Sequence, residues 1–104
     1  MSESVMIIHK DGTKLWRNEK GQLHRTVGPA IEWYTGSKEW IVRGKPHRLN
    51  GPAIEHPDGS KSWYVNGEWL GSNDKGFWRL WDRLTPEQKQ DPTLISYLPG
   101  DFNV

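Results

Sequence analysis

Two short stretches hold the side chains with the most chemistry. "HRTVGPAIEW" runs from residue 24 to 33 and "HRLNGPAIEH" from 47 to 56, and seven of ten positions agree at a spacing of 23. His24-Arg25 and His47-Arg48 therefore occupy equivalent places. Two arginines and two histidines along one edge could clamp a phosphate or a carboxylate, with the guanidinium in its bidentate geometry. The same residues also suit an internal task. Arginine stacks on a neighbouring tryptophan, and histidine bonds turn carbonyls.

Other reactive constellations are missing from the sequence. All four histidines follow from repeat position, since His9 aligns with His56 and His24 with His47. There is no cysteine and no i, i+4 histidine pair, so neither metal nor cofactor is expected. GxSxG, HExxH and Walker loops do not occur. Glu32 and Glu55 read as repeat-equivalent strand residues, and Asp82, Glu87 and Asp91 as helix-surface or capping residues. The expectation is a protein that is not an enzyme. Tyr34, Trp69 and Trp78 fall outside the predicted core face, and aromatic residues of this kind serve as binding hot spots. A net charge of +1 provides no basic stripe, which argues against a nucleic-acid partner.

The elements that must position these residues come from a longer repeat. "DGTKLW" (11–16), "TGSKEW" (35–40) and "DGSKSW" (58–63) align, at spacings of 24 and 23. Self-similarity at a short fixed period marks a repeat architecture. Asp-Gly, Thr-Gly and Asn-Gly are hairpin-turn dipeptides. The runs between them alternate with period 2. In one phase Ile31, Trp33, Trp40, Val42, Ile54, Trp63 and Val65 share a side, predicting the core face. Ile41 falls in the mixed phase. Strands are expected near 5–10, 13–18, 29–34, 38–43, 52–57 and 61–66, in an antiparallel meander. Pro29 and Pro52 are expected to open strands, because proline lacks the N–H that a ladder needs.

After Gly71 the pattern changes. Phe77, Leu80, Trp81 and Leu84 form an amphipathic helical stripe, with Ser72, Asn73 and Asp74 as possible N-caps. "TPEQ" (85–88) is a capping box, and Asp91-Pro92 repeats the start signal. Two or three short helices are predicted, packed on or capping the sheet.

Units of this form, with glycines at 12, 21, 28, 36, 44, 51, 59 and 67 and tryptophans at 16, 40 and 63, resemble MORN-type repeats. They also look like a variant found in small uncharacterised proteins of tailed phages. The resemblance covers residues 5–70. It implies stacked hairpins used for protein or lipid-headgroup contacts and no shared catalytic apparatus. Arg25 and Arg48 depart from it, standing where many such units have glycine.

The expected fold class is α+β, in one domain over 1–104, with a hairpin-repeat region at 5–70 and a helical cap at 71–104. Seven tryptophans against 34% apolar residues, with 11 Gly and 7 Pro, suit a thin β-rich fold. The N-terminus has no basic start or long apolar run, and no stretch approaches the about 18 apolar residues of a membrane span. A cytoplasmic setting is therefore expected. The expected partner is a protein, met by the sheet edge, the His-Arg loops and the exposed aromatics, and the phage resemblance implies a host factor. The alternative is a small anion or nucleotide (or nucleic acid) on Arg25 and Arg48, a third reading is a structural cap or assembly part, and the sheet edges leave room for a homo-oligomer.

Overall fold

A computed structural model describes residues 3–100 of the chain. The strands are β1 (Val5–Ile8), β2 (Lys14–Arg17), β3 (Ile31–Glu32), β4 (Lys38–Glu39), β5 (Ile41–Val42), β6 (Lys45–Pro46), β7 (Ile54–Glu55), β8 (Lys61–Val65) and β9 (Glu68–Ser72). Two helices follow, α1 (Asn73–Trp81) and α2 (Pro92–Ile95), with a 3-10 turn at Gln88–Gln90 between them. The fold is α+β. Seven strands form an antiparallel sheet in the order β1-β2-β3-β4-β7-β8-β9, and β5-β6 is a separate ribbon.

Each repeat contributes two hairpins, and each hairpin has its own turn chemistry. In the first, His9, Trp33 and His56 donate their amides to Thr13, Ser37 and Ser60 carbonyls at 2.9, 2.9 and 3.1 Å. In the second, Arg43-Gly44 has φ of 51 and 79°, and Asn66-Gly67 has φ of 49 and 84°. Two consecutive positive φ values make a type I′ turn, whose twist matches that of the flanking strands.

The strands are shorter than the alternation predicts, and three expectations change. The 38–43 strand breaks at Trp40. Its amide donates to the Ala53 carbonyl at 2.7 Å, while Ile41 and Val42 turn away to pair with Pro46 and Lys45. The break shifts the side-chain phase, so Ile41 is buried. Trp33 is 40% exposed because it opens a turn, and its indole Nε1 donates to Glu39 Oε2 at 2.7 Å. Pro29 and Pro52 precede their strands instead of opening them. Their carbonyls are used by side chains, as described below.

The core has two parts. The larger holds Trp63, Leu70, Phe77, Leu80, Leu84 and Leu94, flanked by Val65, Trp78, Trp81, Tyr97 and Leu98. Trp63 meets Phe77 and Tyr97 edge to face, with centroids 5.6 and 5.8 Å apart. α1 closes this end of the sheet against β8 and β9. It comes close because residue 76 is glycine: a Cβ there would collide with the Trp63 ring and the Gly71 carbonyl. The smaller part holds Ala30, Ile31 and Ile41, with Leu15 and Leu23.

The C-terminal start signals form as read. Thr85 and Gln88 cap each other, each amide bonding the other's side chain at 2.8 and 3.2 Å. Asp91 caps α2 by accepting from the Thr93 amide at 2.8 Å. Ser72 holds the N-cap position of α1 without a side-chain bond. No helix among the described residues is long and apolar enough to cross a membrane.

Candidate functional site

The histidines face their own turns. His24 Nδ1 accepts from the Arg43 amide at 3.0 Å, and His47 Nδ1 accepts from the Asn66 amide at 2.9 Å. Both bond an amide of a type I′ turn, and not a carbonyl as the sequence reading proposed. An imidazole that accepts at Nδ1 carries its proton on Nε2 when neutral. Burial pushes the His47 pKa down, which favours that neutral form.

The arginines form a repeated staple. In the first staple the Arg25 guanidinium lies 3.9 Å over the Trp16 ring and donates from Nη1 to the Pro29 carbonyl at 3.1 Å. Glu32 Oε2 stands 3.5 Å from the same Nη1. In the second staple Arg48 lies 3.7 Å over Trp40, donates to the Pro52 carbonyl at 3.0 Å, and has Glu55 at 3.8 Å. The glycine of each Gly-Pro makes room for the guanidinium. A Cβ at Gly28 would come 3.0 Å from Arg25 Nη1, and one at Gly51 would come 2.6 Å from Arg48 Cζ. The recurrent Arg…Gly-Pro…Glu grouping is thus one physical device.

The two staples differ in what covers them. The Arg48 side chain is 9% exposed and that of Arg25 22%. Arg48 Nε donates to Asn50 Oδ1 at 3.1 Å, and Asn50 Nδ2 donates to Asp91 Oδ2 at 3.3 Å. Tyr97 completes this cover, its hydroxyl donating to Glu55 Oε1 at 2.6 Å. Burial and that bond raise the Tyr97 pKa. In the first staple Val27 stands where Asn50 would be, and it is 82% exposed. Arg25 Nε and Nη2 have no partner among the described residues.

Both loops line one groove of about 750 Å³, bounded by Arg25–Pro29 on one side and His47–Asn50 on the other, with Trp40 and Val42 between and Asp91 and Thr93 at one margin. The structure therefore brings His47, Arg25 and Arg48 together, as the repeat implies. The other candidates lie apart. Tyr34 is 66% exposed beside the Gly36 turn, and Trp69 is 56% exposed on β9. Trp78 is half-buried against the core cluster, edge to face with Phe77 at 4.8 Å. Glu3 also takes part: it accepts from the Thr26 amide and hydroxyl at 2.7 and 2.8 Å and lies 3.6 Å from His24.

Two features escape the sequence reading. Glu32 and Glu55 partner the arginines, and their seven-residue offset from Arg25 and Arg48 in both units is the signal that could have shown it. β1 is the other. Val5, Met6, Ile7 and Ile8 are 64, 44, 44 and 58% exposed on the outermost strand of the sheet. Nothing in their alternation marks them as an edge. Among the described residues no cluster of three or more His, Asp or Glu is arranged to hold a metal ion. In comparisons with known proteins the chain matches no family model, no curated protein and no solved structure.

Proposed function

We propose that the chain is a non-enzymatic binding protein that contacts another protein through its sheet edge, loops and exposed aromatics. The observation that carries this reading is β1. Trp16 lies opposite Met6 in the ladder, yet its amide donates away from β1, to the Ala30 carbonyl at 2.9 Å. Met6 is therefore in a non-hydrogen-bonded pair, and its N–H and C=O point off the open edge. No described strand pairs with those groups, and the four consecutive apolar residues of β1 include no proline or charged guard. Natural sheets blunt such edges unless something pairs with them, and strand addition is a common mode of protein recognition. The resemblance to small phage proteins suggests that the partner is a host factor met in the cytoplasm, which the chain modulates by binding.

A second reading, a small anion or nucleotide on Arg25, is favoured by the Nε and Nη2 of that residue, which have no partner among the described residues. Arg48, stacked on Trp40, bonded at Nε and Nη1 and only 9% exposed, supports it less.

The test uses Met6→Pro. It removes the outward donor and keeps the β1-β2 bonds, since proline suits an edge position whose N–H faces solvent. Tagged wild type should capture one stoichiometric partner from host-cell lysate, and Met6→Pro should lose it at an unchanged melting temperature. Light scattering decides whether that partner is a second copy. An empty capture from a monomeric wild type would overturn the reading of β1 as the binding edge.

A further inference from the structure

The chain contains its own example of what covers an arginine staple. On the second staple, the segment Asp91–Tyr97 supplies a carboxylate and an aromatic hydroxyl. Asp91 caps the start of α2 and reaches Arg48 through Asn50. Tyr97 closes from the other side, its hydroxyl on Glu55 and its ring 5.7 Å from the Arg48 guanidinium. The first staple repeats the platform, and no described residue covers it as Asn50, Asp91 and Tyr97 cover the second. Trp16, Arg25, Pro29 and Glu32 stand as Trp40, Arg48, Pro52 and Glu55 do. The groove is walled by Arg25 and Pro29 of the first staple, by Arg48 and Asn50 of the second, and by Asp91 and Thr93 at the start of α2; Glu32 lies outside its lining. Through Arg25 it offers a second segment access to the first staple, one repeat along from the staple that α2 covers.

The geometry points to the first staple as a docking site for a polypeptide segment of a partner protein. That segment carries an aspartate or glutamate at a helix start and a tyrosine six residues later, the spacing of Asp91 and Tyr97. Val27 replaces the bridging asparagine, so the partner's carboxylate bonds Arg25 Nε and Nη2 directly. Two parallel N–H donors are the arrangement a carboxylate fits best. The tyrosine hydroxyl donates to Glu32, as Tyr97 does to Glu55. Val27 gives an apolar contact at the mouth. This site rests on the reading of the chain as a protein-binding module, and it is independent of the β1 edge.

The probe is a synthetic peptide with the sequence of residues 87–98, titrated into the isotope-labelled full chain. The chain's own α2 keeps the second staple occupied, so the peptide meets only the first. Backbone amide signals of Arg25, Val27 and Glu32 should shift to saturation with one peptide bound. Val27→Glu places a carboxylate at the mouth of the site, on a side chain too exposed to matter for folding. It should weaken binding about tenfold or more, as should aspartate-to-asparagine exchange in the peptide.

Three results would overturn the inference: no saturation up to millimolar peptide, shifts at Arg48 and Tyr97 instead, or equal shifts from inorganic phosphate alone, which would mark a small-anion site. Met6→Pro should bind the peptide as wild type does. Capture lost in Met6→Pro with no peptide binding removes this site and keeps the edge reading. Peptide binding with an empty capture does the reverse.

Discussion

At the scale of single residues, Arg25 and Arg48 look alike in sequence and differ in environment. Each joins three parts of its unit: a tryptophan ring, a proline carbonyl and a strand glutamate. Stacking a guanidinium on an indole contributes more as water is excluded. A charged donor left without its buried carbonyl costs more than a neutral one. Arg48 also holds Asn50, and through it Asp91. We predict that Arg48→Ala costs about 2–4 kcal/mol of stability, and Arg25→Ala about half as much. Urea unfolding of both variants measures this. Equal costs would show that the C-terminal cover adds nothing to the staple. Gly51 and Gly28 should follow the same order under substitution by alanine, since a Cβ at Gly51 sits 2.6 Å from its guanidinium and one at Gly28 sits 3.0 Å away.

At the scale of elements, α2 is a four-residue helix, too short to hold itself together. Its start is fixed by Asp91, and its Leu94 is fully buried in the larger core. Asp91 thus has two tasks. One oxygen caps the helix and the other accepts from Asn50. An N-cap loss alone costs about 1 kcal/mol. Asp91→Ala should cost more than the loss of a cap alone, because the link to Asn50 goes too; urea unfolding measures the difference. In a double-mutant cycle with Asn50→Ala the two costs should fail to add. Strict additivity would show that Asp91 only caps. The same element explains why Trp78 is not a surface aromatic. α1 presents Phe77 and Leu80 to the sheet, and Trp78 leans on Phe77 and Trp81 beside them.

At the scale of the whole molecule, the chain is a sheet with one closed end and one open end, measuring 46 × 28 × 22 Å. The helices close it at β8 and β9, whereas among the described residues no strand pairs with the outer edge of β1. Its acid response is also a whole-molecule property. His47 has its pKa lowered by burial, so below the ordinary imidazole value of about 6.5 the unfolded chain binds the extra proton and stability falls. Glu3, Asp11, Asp58, Glu68 and Asp91 are held below the ordinary carboxylate range by the hydrogen bonds they accept, chiefly from Thr26, Thr13, Ser60, Arg83 and Thr93. Their contribution is present above about pH 4 and is lost as pH falls through their folded values. Thermal melts should therefore show a first loss of stability below about pH 6.5 and a second below about pH 4. His47→Asn keeps an acceptor near the position of Nδ1 and cannot titrate, so it should remove the first loss only. A first loss of the same size in this variant would refute the assignment to His47.

What the sequence by itself determined is local. The unit length, the hairpin turns, the capping box at Thr85 and the cap at Asp91 were all legible, because each depends on residues within a few positions of one another and on fixed φ/ψ preferences. The helical stripe of α1 was legible for the same reason. What only the tertiary structure decided is non-local. The strand break at Trp40 appears once Ala53 claims its amide. The equality of Arg25 and Arg48 ends once Asp91 and Tyr97, more than 40 residues along the chain, settle on one staple and not the other. Whether a surface repeat is covered or bare depends on where the tail packs, and the repeat pattern holds no record of that.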